Sequence, residues 1–155
     1  YKGKVLILGD ASHAVVPFYG QGLNAGMEDC TIFFETLEKC NDDMEKAFMI
    51  FGEERVPDGD AIADLALYNY IEMRDLTGNK DFLLRKKIER KFSELYPDKW
   101  LPLYSRVTFS HEPYAQALEK GKAQARIMDE VMKMENIHQN WDRPEVMNKI
   151  LSLLT

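Results

Sequence analysis

Cysteine is nearly missing from this chain, with Cys30 and Cys40 the two among 155 residues. Two thiols cannot build the disulfide framework of a small secreted domain, so a reducing, cytoplasmic setting is expected. Histidine is as scarce. His13, His111 and His138 are scattered without paired spacing, and no metal site is expected. No apolar run approaches the roughly 18 residues that span a bilayer, and no signal peptide is visible. A basic excess is absent too: the net charge is −6, which argues against a nucleic-acid surface. The one basic cluster, Arg85, Lys86, Lys87, Arg90 and Lys91, is interleaved with Leu84, Ile88 and Phe92. It reads as the solvated face of an amphipathic helix. There is no internal repeat and no low-complexity linker.

What is present is globular. Hydrophobic residues make up 45% and charged residues 30%, enough for one core. The pattern is mostly α: one buried strand and a Gly-rich loop, followed by five or six helices. Apolar spacing predicts a helix over about 23–40 with Leu23, Met27, Cys30, Phe34 and Leu37 on one stripe. Asn41-Asp42-Asp43 breaks it and caps a second helix carrying Met44, Ala47, Phe48 and Phe51. Pro57 is expected to stop or kink that helix. A third runs from Asp58 to Leu76, with Gly78-Asn79 as its C-cap. Asn69 lies on its apolar stripe among Ile62, Leu65, Ala66, Met73 and Leu76, and a buried amide there needs a hydrogen-bond partner. A core carbonyl or water would satisfy it, as would a ligand. A fourth helix spans 81–96, and Trp100 to Phe109, with Pro102, reads as extended. A fifth runs from Pro113 to about Glu135, and Asp142-Arg143-Pro144-Glu145 reads as a capping box opening a last one. Three regions follow: 1–40, 41–112 and a helical 113–155.

The most informative stretch is Gly9 to Asp29. Val5-Leu6-Ile7-Leu8 suits a strand buried on both faces. Asp10 stands at its carboxyl end, where an acid can accept hydrogen bonds from sugar-like hydroxyls. The connection to the first helix holds Pro17, Gly20 and Gly22, residues used where a backbone turns sharply or approaches a ligand. The helix start beyond it offers free N–H groups and partial positive charge. Such strand–loop–helix units are common, and on spacing alone both a nucleotide site and a plain structural turn stay open. Ser12 beside His13 lacks the context of a nucleophile elbow. His13 reads as a satisfied loop residue, and Glu28 and Asp29 as acids near a helix start that need no catalytic role.

Gly9-Asp10-Ala11-Ser12-His13, then Pro17, Gly20-Gln21-Gly22-Leu23-Asn24 and Glu28-Asp29, resemble the second flavin-binding motif of FAD-dependent aromatic hydroxylases. Pro17-Phe18-Tyr19-Gly20-Gln21-Gly22, Tyr68-Asn69-Tyr70-Ile71-Glu72-Met73-Arg74, and Leu101-Pro102-Leu103-Tyr104 with Val107-Thr108-Phe109 narrow the resemblance to the kynurenine 3-monooxygenase family. These motifs span roughly residues 1 to 115. Ser12 and Leu23 stand where that family often has Ala and Met. The family's N-terminal Gly-x-Gly-x-x-Gly fingerprint, which holds the ADP half of FAD, is missing. The chain therefore reads as the C-terminal part of a Rossmann-like flavoprotein whose N-terminal half is its principal partner. Eukaryotic members carry a C-terminal membrane segment, so this chain resembles the soluble bacterial kind.

The resemblance implies hydroxylation of L-kynurenine to 3-hydroxykynurenine with FAD, NADPH and O2. The cofactor carries that chemistry, so no catalytic acid–base pair is expected in the chain. Asp10, Pro17, Gly20, Gln21, Gly22, Leu23 and Asn24 would face the flavin. Pro17, Phe18 and Met73 would line the substrate pocket, with Asn69 and Tyr104 on the amino-acid end. Two alternatives stay open: another aromatic-acid hydroxylase, and an inactive helical fragment that packs only against the missing half.

Overall fold

The computed structural model describes residues 1–154. They form seven α-helices: α1 (Gly22–Lys39), α2 (Met44–Ile71), α3 (Lys80–Leu95), α4 (Leu103–Phe109), α5 (Tyr114–Met132), α6 (Ile137–Asn140) and α7 (Pro144–Leu153). A 3-10 turn at Gly9–Ala11 precedes α1, and a π-helical stretch at Glu72–Leu76 continues α2. Two compact units are present, one of residues 1–70 with 113–115, the other of residues 71–112 with 116–155.

In the first unit the expected strand does not form. Val5 to Leu8 is irregular, an isolated Lys2–Val5 bridge being the sole strand-like pairing among the described residues, and Val5 and Ile7 are exposed. A strand needs a neighbour for its N–H and C=O groups, and this unit offers none. The stripe expected to bury α1 is likewise corrected: Leu23, Met27, Cys30 and Phe34 are exposed. The face of α1 that packs inward carries Ala25, Asp29 and Thr36 instead.

Asn41 and Asp42 adopt left-handed backbone angles after α1, and Asp43 accepts from the Lys46 N–H, so the polar cluster breaks and caps as expected. Pro57 does not break α2. Proline leaves the carbonyl four residues back without its donor, but both Pro57 and Glu53 are exposed, so that oxygen faces water. Phe48 and Phe51 are buried on the inner face of α2, with the Phe33 ring 5.7 Å and 5.6 Å from theirs.

In the second unit Ile88 and Phe92 of α3, Met128 and Val131 of α5, Ile137 of α6, and Val146, Met147 and Ile150 of α7 close around Trp100. The Trp100 ring stands edge-on to Phe92 at 5.5 Å. Asn79 accepts from Asp81 and Phe82, so it opens α3 rather than closing the helix before it. Leu103–Phe109 is helical rather than extended, because Pro102 sits at the N-cap, where its missing N–H is no loss. Arg143 occupies the N-cap of α7 with Pro144 at the first turn and no side-chain cap, so the expected capping box is not made. Among the described residues no helix is long and apolar enough to cross a membrane.

Phe92→Ala should lower the stability of this unit by about 3–5 kcal/mol, the usual result of emptying a fully buried aromatic site. Urea unfolding followed by tryptophan fluorescence measures it. A loss well below that range would remove Phe92 from the core.

Candidate functional site

The loop between Gly9 and α1 is held from beneath by one buried carboxylate. Asp29, 1% exposed, accepts the Gly9 N–H at 2.9 Å on Oδ2. His13 Nε2 lies 2.6 Å from the same oxygen, and Arg55 Nε donates to Oδ1 at 2.9 Å. The other arms of Arg55 reach Asp58 at 3.0 Å and Glu28 at 3.1 Å. Asp58 also accepts the Ala115 N–H at the start of α5. Burial alone would push the Asp29 carboxyl up; the bonds from Gly9, His13 and Arg55 outweigh it and hold the group below the ordinary aspartate range. Nearby, burial and then the Glu28 charge push the Tyr114 phenol up to about 12.

Above this network the loop and α1 leave an open groove of about 610 Å³. Leu8, Asp10, Pro17, Gly20, Gly22 and Leu23 line it, with Met27 and Cys30 further along α1. Gly9 and Gly20 have φ of +58° and +69°, angles that other residues adopt only under strain. Gly26 carries no side chain where a Cβ would come 3.4 Å from the Gly9 Cα, which lets the loop lie against the helix. A Cβ at Gly20 or Gly22 would meet nothing within 4 Å and would project into open space. Gln21 gives α1 no side-chain cap, its oxygen being taken by Asn24 Nδ2 at 2.9 Å. The N–H groups that open α1 therefore stand without an intrahelical or capping partner beside the groove. An uncapped helix start, a bare glycine approach and an acid on the rim fit an anionic, hydroxyl-rich cofactor.

The expected site residues fall as follows. Asp10, Pro17, Gly20, Gly22 and Leu23 share the groove, whereas Gln21 is buried and Asn24 is turned onto it. Asn69 is half-buried and donates through Nδ2 to the Phe18 carbonyl at 2.6 Å; the Phe18 ring packs 4.4 Å from Tyr70. The partner that a mid-stripe amide requires is thus the loop itself. Met73 and Tyr104 belong to the second unit, Met73 in the π-helical stretch and Tyr104 on α4, both exposed. Tyr104 stands edge-on to Phe109 at 6.4 Å and lines a cleft of about 420 Å³ with Glu72, Leu76, Phe82 and Leu103.

Sequence reasoning missed Arg55 and Asp58 and gave Asp29 too small a part. The signal was there: Phe48, Phe51, Arg55, Asp58, Ile62 and Leu65 alternate in steps of three and four. Two charges in the middle of a core stripe demand buried partners.

Residues 1–43, which hold the loop and α1, match the family model described as FAD binding domain. The particular resemblance is to kynurenine 3-monooxygenases. The chain is 54% identical to the one from Flavobacterium johnsoniae over 154 residues, 99% of this chain and 34% of that protein. It is 46% identical to that of Caenorhabditis elegans over 83% of this chain and 28% of that protein, and 42% identical to that of Sus scrofa over 83% and 27%. The chain spans about a third of the length of the curated relatives it matches.

Arg55→Met should destabilise the first unit by about 3–5 kcal/mol, since it strands buried carboxylates without their cation. The Asp29 contribution has a defined sign. Its carboxyl is held down in the folded state, so the stabilisation is full above the ordinary aspartate range and fades as pH falls through the folded value. Urea unfolding at neutral and acid pH should show this loss in the parent and a smaller one in Asp29→Asn. Equal acid sensitivity would assign the effect to other groups.

Proposed function

We propose that this chain forms the flavin-edge and substrate-side portion of an FAD- and NADPH-dependent hydroxylase acting on L-kynurenine. The observation that carries the reading is the groove at the uncapped start of α1, lying within the residues that match an FAD binding domain. FAD, once bound, supplies electron transfer from NADPH and the activation of O2; the protein supplies placement. The α1 N–H groups at Gly22, Leu23 and Asn24 would face the isoalloxazine and favour negative charge at its carbonyl edge. Asp10 would accept hydrogen bonds from the ribityl chain. A Rossmann-like sheet contributed by further sequence would cover the apolar surface that α1 and residues 5–8 leave exposed outside the groove, where Val5, Ile7 and Phe34 lie. The relatives' greater length and the apolar character of that face support this. Free Cys30 and Cys40 fit a reducing cytoplasm.

On the substrate side, Pro17 and Phe18 from the loop would contact the aromatic ring, and Met73 is proposed as a further substrate contact. Asn69 Nδ2 gives one hydrogen to the Phe18 carbonyl, which leaves Oδ1 as an acceptor for the ammonium group and the second N–H as a donor. The Tyr104 hydroxyl would donate to the carboxylate. The alternative aromatic-acid hydroxylase reading is less favoured, because the relative named as kynurenine 3-monooxygenase is 54% identical over 154 residues of this chain.

In the full-length protein carrying this chain, Asp10→Ala should weaken FAD by about tenfold to a hundredfold, the effect of one lost hydrogen bond to a carboxylate. Titration of apoprotein measures it, and unchanged affinity removes Asp10 from the site. Asn69→Ala and Tyr104→Phe should each weaken kynurenine binding by about 1.5–3 kcal/mol while the flavin spectrum stays intact. They should also release peroxide in place of product, since the ring is no longer oriented. Parent-like binding and coupling in both variants would overturn the substrate assignment.

A further inference from the structure

A Cβ placed on Gly121 of α5 would lie 2.7 Å and 2.8 Å from the two methyls of Leu103 and 3.2 Å from its Cγ. Turning the isopropyl group only exchanges one methyl for the other. Relief therefore requires the Leu103 Cα–Cβ torsion, or α4 itself, to move. Leu103 opens α4, Pro102 before it has a fixed φ, and Tyr104 follows directly.

The same short stretch is pinned at two further points. Trp100 is 1% exposed in the second unit's core, and its carbonyl accepts from Ser93 Oγ at 3.0 Å. Gln124, three residues after Gly121 on the same face of α5, donates through Nε2 to the Leu101 carbonyl at 3.0 Å. Core packing, a backbone hydrogen bond and a glycine gap thus hold Trp100 to Leu103 in sequence, and the next residue is the exposed Tyr104. Backbone conformation does not demand glycine at Gly121: it is helical, where alanine is preferred by about 1 kcal/mol. What glycine provides is room.

We infer that Gly121 is a positioning residue for the substrate site: its missing side chain seats Leu103 and so sets where the Tyr104 hydroxyl stands. The inference rests on Tyr104 binding the substrate, as proposed above. Gly121 borders the same cleft as Leu103 and Tyr104, and its effect on Tyr104 runs through α4.

The test is kinetic, in the full-length flavin-loaded protein. Gly121→Ala should raise KM for kynurenine about tenfold to a hundredfold, the scale of a misplacement near 1 Å, and raise peroxide release per NADPH consumed. FAD content should not change. Leu103→Ala vacates the space that the new methyl needs, so Gly121→Ala with Leu103→Ala should return KM most of the way to the parent value. A general loss of fold would lower FAD content and would not be rescued this way. If Gly121→Ala alone does not fold, the double variant carries the test, and it should fold and bind kynurenine with a KM near the parent value. A parent-like KM in Gly121→Ala, or no rescue in the double variant, overturns the inference. Tyr104→Phe run alongside separates the two failures. If it leaves kynurenine binding intact, the reading of Tyr104 falls; if it weakens binding while Gly121→Ala does not, only the role of Gly121 falls.

Discussion

The first unit depends on the ion pair between Asp29 and Arg55. Each is more than nine-tenths buried, and neither could stay charged there alone. Asp29 is satisfied by a backbone N–H, an imidazole and a guanidinium; Arg55 spends its remaining arms on Asp58 and Glu28. Such a pair adds little net stability over apolar packing, but its geometry is unforgiving. It ties the Gly9 turn to α1 and α1 to α2, and through Asp58 it caps the start of α5. The loop above it gains a fixed shape without a strand of its own to brace it.

That shape leaves glycine, helix start and acid facing one groove. A second tie comes from α2, where Asn69 holds the Phe18 carbonyl and keeps the far end of the loop in place. The loop is therefore held at Gly9 by a carboxylate and at Phe18 by an amide, with Gly20 between that second tie and Gly22, which opens α1. The proposed role in holding a large cofactor would benefit from a loop that is rigid before the cofactor arrives.

Much of this was readable in the sequence. The helical character of 44–76, read as two helices divided at Pro57, and the helices over 81–96, 113–135 and 144–153 follow from their apolar spacing, and the candidate loop stood out by its glycines and its motif. Errors arose where long-range contacts override local pattern. Val5 to Leu8 has the composition of a buried strand, yet composition cannot supply a neighbour. Leu23, Met27, Cys30 and Phe34 form a proper helical stripe, but α1 turns Asp29 inward because that is where Arg55 is. Pro57 and Pro102 were read as breakers; one faces water and the other sits at a cap, where proline does no harm. Asn69 was singled out as an amide needing a partner, but which partner was a matter of tertiary structure.

The most direct test of the account uses the full-length protein purified without added flavin. Its visible spectrum should show bound FAD, the flavin band should shift on adding L-kynurenine, and NADPH consumption should yield 3-hydroxykynurenine in nearly equal amount. A protein that retains no flavin, or that consumes NADPH with kynurenine present and forms no hydroxylated product, would contradict it.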